Sequence, residues 1–492
     1  MIVDFETTSA DSLTDLSFDA CIMGAGPAGI TLARKLAARG FTIGLFEGGG
    51  LEQTPESQEL YKGKIGAQPY FPLDGSRLRF FGGSSNHWGG WTRALDEHDF
   101  ESRDDHPMSG WPIAKADLDP YAAEADTILD LPPHFVPPDM FGGNSKTLVP
   151  GYFRFSNPTT RFGQKYREEL RASENITVFL NANLVDIRLD DTRSTVTEAI
   201  FRGLKRPGLV SVEARIFALC LGGLENPRAL LNASSQVGTG IGNENDLVGR
   251  YFLEHPHVPV GNVVVREPIT FMMVYSPTPE FMKANHILSF GLRIGNFSIT
   301  PDGVFTGAFK PQPACTQPFE ALLAAALRGE DPACPAHVGG AFIACEQGLN
   351  PDSRLRLTNE RDRFGLRRAE LDWNLSDIDL RTLRVAVTEA GRLMAEQDVG
   401  RLKVIDWLLD DSVKPNLDQL WGGSHHMGTT RMSDDPKTGV VNASQRVHSI
   451  DNLYVGGSSV FATSGHANPT YTIVQLTLRL GDHLTARLRQ TG

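Results

Sequence analysis

Three observations predict an α/β fold for this chain. A strand, glycine turn, helix and second strand stand near the N-terminus, two more glycine clusters lie far along the chain, and the middle third carries β-like segments. Residues 19–23 (DACIM) form a short apolar run, GAGPAGITLARKLAARG follows, and FTIGLFE completes a βαβ unit. Ile30, Ala33, Leu36 and Ala37 recur at helical spacing, which lays one helix face on a sheet. Gly40 stands where a left-handed residue ends the helix.

The chain from 51 to about 79 is polar and turn-rich. The clusters FFGGSSNHWGGW at 80–91 and VGGSSVFATSGHANPT at 455–470 read as backbone shaped around a ligand. Between them ITVFLNANLVDIRLD, TEAIFRG and ARIFALCLGG alternate like strands, and residues 260–348 read as a separate β layer broken by Pro and Gly. SDIDLRTLRVAVTEAGRLMAEQDVG reads as one amphipathic helix with Leu380, Leu383, Val387 and Leu393 on its apolar stripe. It is capped near Ser376, with Asp379 three residues on.

A length of 492 residues implies roughly two to four structural units at about 100 to 200 residues each. Hydrophobic residues make up 40% and charged residues 22%, a globular composition. Lys and Arg number 47 against 59 Asp and Glu, and the net charge of −12 disfavours nucleic acid and anionic bilayers as partners. The longest apolar stretch, ALLAAAL at 321–327, is too short to span a membrane. The acidic opening lacks the pattern of a secretory signal, so a cytoplasmic location is expected. Five cysteines without CxxC spacing (Cys21, Cys220, Cys315, Cys334, Cys345) fit reduced, buried thiols, with a Cys315–Cys334 pair left open.

Gly24, Gly26 and Gly29 form GxGxxG between the predicted strand and helix. Glycine there permits the tight turn and lets backbone approach a pyrophosphate at the helix N-terminus, beside Pro27 and Ala28. Glu47, at the end of the second strand, is placed to accept hydrogen bonds from ribose hydroxyls and to repel a phosphorylated ribose. The spacing leaves NAD and FAD both open, and the two remote glycine clusters favour a flavin that needs further enclosing backbone.

Six stations in order resemble the glucose-methanol-choline family of FAD oxidoreductases. They are GAGPAG with Glu47, FGGSSNHWGG at 81–90, NANL at 181–184, CLGGLENPRALL at 220–231, DLVGRYFLEHPH at 246–257, and the stretch 422–482 with its HxxGT, NLYV and NP pattern. NHW at 86–88 resembles the branch of pyranose oxidase and fructose dehydrogenase more than that of glucose oxidase. The resemblance implies a discontinuous Rossmann-type FAD-binding domain at 15–105, 170–252 and 416–492. It also implies an inserted α+β substrate domain on an antiparallel sheet at 106–169 and 253–415.

The activity so implied is oxidation of an alcohol, with a sugar or polyol hydroxyl as the expected substrate, by base-assisted hydride transfer to flavin N5. Oxygen or another acceptor would then take the electrons. His425 falls at the HxxGT position and becomes the base, and Asn468 falls at the NP position and holds the substrate oxygen. His426 is expected to face away from the flavin, since neighbours in extended chain point oppositely, and His466 to share the face of Asn468. Gly83, Ser84 and Asn86 belong to an amide-rich turn suited to an anion or flavin. His87 holds the offset at which some relatives attach FAD covalently, so that attachment stays open, and Trp88 is expected to wall the flavin. Leu184 matches a position whose backbone addresses adenine, and Cys220, Ser458, Pro469 and Thr470 fall in cofactor stations. Gly457 stands where the family often has an acidic residue, which leaves that contact to backbone.

His255 and His257 could form a ligand pair, but no cluster completes a metal site. No GxSxG elbow supports a serine hydrolase. An FAD-containing lyase of the same fold is the alternative that motifs leave standing. Phe271, Met272, Met273 and Phe281 are candidate apolar lining of a substrate pocket.

Overall fold

The computed structural model describes residues 1–490 except 67, 271, 296, 297, 300–304, 307–316, 329, 331–333, 411 and 414, with backbone alone at 298–299 and 305–306. Strand β1 (Leu16–Met23), helix α1 (Pro27–Ala37) and strand β2 (Ile43–Phe46) form the βαβ unit that the sequence predicts. Ala20 to Met23 of β1 are wholly buried because the strand has parallel partners on both sides, β2 and Val210–Leu219. Helix α1 lays Ile30, Leu32, Ala33 and Leu36 on the sheet, and Gly40 follows in a left-handed conformation.

This first sheet has eight strands. From one edge run Ile2–Asp4, Ile176–Leu180, β2, β1, Val210–Leu219, Val196–Arg202 and Asn183–Leu189, and Leu453–Val455 also pairs with Val210–Leu219. The run ITVFLNANLVDIRLD divides into two strands at Asn181, whose φ of 56° turns the chain. Strands β1, β2, Val210–Leu219 and Leu453–Val455 are mutually parallel, so their carboxyl ends lie along one edge, where open α/β sheets bind ligands. Helix Thr470–Gln490 packs on α1 from the same side.

The middle of the chain forms a second, seven-stranded antiparallel sheet. Its order is Gly400–Val404, β3 (Pro256–Val265), β5 (Val338–Cys345), β4 (Phe290–Gly295), Met273–Pro277 and Leu148–Gly151. Val258, Leu292, Ile294 and Ile343 face helix Asp377–Glu396 in one core, while His257, Arg293 and Phe342 alternate onto the other face. That helix begins at a capping box in which Asp379 accepts from the Ser376 backbone at 2.6 Å, a device worth about 1 kcal/mol. Leu383, Val387 and Leu393 are buried and Leu380 is half-buried. A short strand, Trp421–Gly422, pairs with the start of β3 at Pro256 and His257. This antiparallel pairing carries residues 423–426 back past 255 and 254, and Met427 bridges Leu253.

Cys21, Cys220 and Cys345 are free and buried, as expected of reduced thiols. Cys334 is disulfide-bonded, the possibility the sequence left open for it, and Cys315 lies outside the described residues. No helix among the described residues is long and apolar enough to cross a membrane.

Candidate functional site

A cavity of about 500 Å³ runs from the turn after β1 to the junction of the two sheets. Its first wall is the glycine turn. A Cβ on Gly29 would stand 1.8 Å from the carbonyl oxygen of Gly24, so this glycine serves helix-strand packing and does not line the cavity. A Cβ on Gly26 would meet no atom within 4 Å, because that side opens onto the cavity. Gly26 caps α1 without a side-chain acceptor, so first-turn amides such as that of cavity-lining Ala28 remain for a ligand. The Glu47 carboxylate accepts from the Ala25 amide at 3.0 Å and the Gly49 amide at 2.9 Å, and it borders the cavity. One bond per oxygen leaves lone pairs for hydroxyl donors.

The second glycine cluster closes over the first: the Gly82 amide donates to Ala25 at 2.9 Å, and Gly83 packs on Gly26. Ser84, His87 and Trp88 line the cavity. Asn86 does not, because its amide turns back to the Phe81 carbonyl at 2.9 Å, which corrects the sequence expectation. The His87 ring has no hydrogen-bond partner among the described residues, and burial, then the charge of Arg161, hold it below its ordinary pKa. Trp88 is anchored through Nε1 to the Thr160 carbonyl at 2.8 Å. Leu184, Cys220, Gly457, Ser458, Pro469 and Thr470 complete the wall at the strand ends. The open side of Gly26, the uncapped amides, Glu47 and this run of backbone fit an FAD lying along the cavity.

At the far end the two chain segments meet. Asn468 Nδ2 lies 3.0 Å from His425 Nε2, across 43 residues of sequence, and both side chains border the cavity. Nδ1 of His425 lies 2.9 Å from Nδ1 of His255, whose Nε2 lies 3.3 Å from the Ser464 carbonyl. The carbonyl can only accept, so His255 carries its proton on Nε2 and accepts at Nδ1. His425 must then donate from Nδ1, which leaves the lone pair of Nε2 to accept from Asn468 Nδ2. Buried Glu254 locks the backbone around this chain: it accepts from the His425 amide at 2.8 Å, the His255 amide at 2.9 Å and the Gly423 amide at 3.1 Å, and from the Tyr70 hydroxyl.

Burial holds His425 well below the usual histidine range, and His255, His257, Arg293 and His426 push the same way. His255 is held at about 4, chiefly by burial. Both rings are neutral near pH 7, so Nε2 of His425 accepts a proton without prior deprotonation. Burial pushes Glu254 up to about 7.

His426 departs in part from expectation. Its ring turns from His425 toward Tyr70 and Phe252, 6.0 Å away in each case, yet it too borders the cavity. The chain there is not extended, since Ser424 has a φ of 58°. His466 does not line the cavity: Ser289 Oγ lies 2.8 Å from its Nδ1 and Ser276 Oγ 3.1 Å from its Nε2, which ties the C-terminal segment to the second sheet. Met272 packs beside Phe342 and Ala344, and Met273 and Phe281 against the main core of the second sheet. None of the three borders the cavity, and Phe271 lies outside the described residues. The His255–His257 pair, weighed as a metal site, instead surrounds His425, with the His257 ring 5.9 Å from it. Sequence reasoning missed Glu254, His255, Tyr70 and Arg293. The one available signal was EHPH, three ionisable groups at the head of a buried strand.

Residues 350–477 match the C-terminal model of the GMC oxidoreductase family. The 2-methyl-1,2-propanediol dehydrogenase of Mycolicibacterium austroafricanum is 22% identical, over 98% of this chain and 96% of that protein. The fructose dehydrogenase large subunit of Gluconobacter japonicus is 25% identical, over 57% of this chain and 48% of that protein. Among solved structures, pyridoxine 4-oxidase from Mesorbium loti shares the fold with a TM-score of 0.58 at 18% identity, over 94% of this chain and 98% of that one.

Proposed function

We propose that this chain, a GMC oxidoreductase, is an FAD-dependent enzyme that oxidises the CH–OH group of an alcohol to a carbonyl. The observation that carries the reading is the meeting of His425 Nε2 and Asn468 Nδ2 at 3.0 Å on the wall of the cavity. A substrate hydroxyl placed there donates to Nε2 and accepts from Nδ2, which orients the carbinol carbon. FAD, when bound, accepts the hydride and so takes up the negative charge that offsets the proton arriving on His425. Gly24, Gly26, Ala28, Glu47, Gly83 and Ser84 would hold the cofactor at one end, and His87, Trp88, Gly457, Pro469 and Thr470 at the other. The flavin domain is read as 15–105, 170–252 and 416–492, and the substrate domain as 106–169 and 253–415. Strands of the first sheet at 16–46, 176–219 and 453–455, and of the second at 148–151, 256–345 and 400–404, support that division, whereas Ile2–Asp4 of the first sheet and Trp421–Gly422 of the second fall outside it.

A sugar or polyol substrate is supported by the named relatives, which include a fructose dehydrogenase and a propanediol dehydrogenase. Anaerobic mixing of the holoenzyme with primary alcohols, secondary alcohols, polyols and monosaccharides tests the reading: alcohols should bleach the flavin absorption. A flavin left oxidised by every alcohol would point instead to a lyase of the same fold. Acid precipitation reads the linkage at His87, where a yellow pellet means a bond and a yellow supernatant means none.

A further inference from the structure

Arg293 occupies the middle of β4, opposite Phe342 of β5, and is 3% exposed. Its guanidinium carbon stands 4.4 Å from the centre of the Trp91 ring and 5.4 Å from those of Phe153 and Phe342. No group among the described residues accepts a hydrogen bond from it, and Nε is buried without a partner. Arg77 and Arg228 both pair with Glu225, Arg103 with Glu346, and Arg154 with Asp126, and Arg431, which also lacks a carboxylate, donates to the Met108 carbonyl at 2.6 Å. Three aromatic rings return only part of the hydration that a guanidinium gives up on burial. An acceptor is therefore missing.

The place for it is the cavity. Arg293 lines the same space as Trp91, His257, His425 and Asn468, and its charge disfavours protonation of His255, His257 and His425. Burial lowers its own pKa to about 9, so it stays cationic at neutral pH. The neighbouring His257 and His425 are neutral there, which leaves one net positive charge to be matched. A planar fork with free donors matches a carboxylate in both charge and shape, whereas a phosphate dianion would need a second cation.

We propose that Arg293 docks the carboxylate of the alcohol substrate, so that this enzyme takes hydroxy acids and presents their CH–OH to His425 and Asn468. The inference rests on the alcohol-oxidation reading above and narrows its substrate. With FAD bound as the two-electron acceptor, the carbinol carbon would give up its hydride to it and the hydroxyl its proton to His425. The product is the oxo acid, with the carboxylate unchanged.

The test compares anaerobic flavin reduction in the holoenzyme by hydroxy acids of increasing length, sugar acids included, with reduction by their neutral amides. At least one acid should exceed its amide by ~30-fold or more in kcat/KM. Arg293→Gln should bring that ratio within ~3-fold, and Arg293→Lys should retain part of it. Amides equal to or better than acids throughout, or a ratio untouched by Arg293→Gln, would overturn the proposal. Should Arg293→Gln fail to fold, the acid-to-amide ratio of the unaltered enzyme decides alone. If no alcohol of any kind reduces the flavin, the oxidation reading fails, and acetate titration still judges Arg293. A saturable change in the flavin spectrum supports the anion site, and none up to ~100 mM rejects it.

Discussion

Nδ1 of His255 lies 2.9 Å from Nδ1 of His425, and this contact decides which nitrogen of His425 faces the cavity. Without it the imidazole is free to place its proton on Nε2, where it can no longer accept from a hydroxyl. His255→Phe should therefore lower the rate of flavin reduction by ~10- to 100-fold while KM moves little. His255→Gln keeps an acceptor at this position and should recover part of the loss. Equal rates for all three proteins would remove His255 from the mechanism.

His425→Ala removes the proposed proton acceptor. Stopped-flow reduction by the best alcohol should slow by ~10²- to 10⁴-fold, with flavin content retained. Because burial keeps His425 below its ordinary pKa, kcat/KM of the unaltered enzyme should show no histidine limb near pH 6.5 and should fall only at more acid pH. A limb centred at 6.5 would mean that another group is the base.

Two glycines of the first turn separate cofactor contact from packing. Gly29→Ala drives a methyl into the Gly24 carbonyl and should lower both Tm and flavin content. Gly26→Ala meets no protein atom within 4 Å, so it should leave the apoprotein's Tm nearly unchanged while flavin content falls. The ratio of protein to flavin absorbance, read beside thermal unfolding, checks both. Full flavin loading of Gly26→Ala would contradict the assigned path of the pyrophosphate.

Acid should destabilise the fold below pH 6.5. His106 and His255 are held at about 4 and His426 at about 3, and His257, His425 and His466 lie well below the usual value, in each case chiefly through burial. The unfolded chain regains ~6.5 at each, so it binds more protons as pH falls, and stability falls with it. Glu254 and Asp99, raised to about 7, and Asp379, raised to about 6, act oppositely: their contribution is present at low pH and lost as pH rises through those values. The histidines outnumber these carboxylates. Each net proton is worth ~1.4 kcal/mol per pH unit, and Tm should drop between pH 6.5 and 5. A Tm that rises over this interval would contradict the buried neutral state of these rings.

Much of the flavin end was legible in the sequence because its signals are local. GAGPAG and Glu47 sit within one βαβ unit, so spacing alone placed them on one cavity wall. Asn86 and Gly29 were assigned to that wall with their neighbours, and the structure turns them elsewhere because a side-chain amide found the Phe81 carbonyl and a glycine was needed for packing. His426 and His466 went astray for a related reason. A period-two argument presumes extended chain, while Ser424 turns the backbone, and two serines from other strands hold His466 away from the cavity.

Spacing within one βαβ unit was enough to announce a nucleotide fold, and the family resemblance pointed to His425 and Asn468 as base and carboxamide partner; their meeting at 3.0 Å across 43 residues is a product of the tertiary structure. The tautomer of His425, the role of Glu254 beneath it and the unmatched charge of Arg293 were settled only when β3, β4 and the segment after Trp421–Gly422 came together. Protonation state and charge balance are properties of a surrounding, and that surrounding exists only once strands distant in sequence have packed and excluded water.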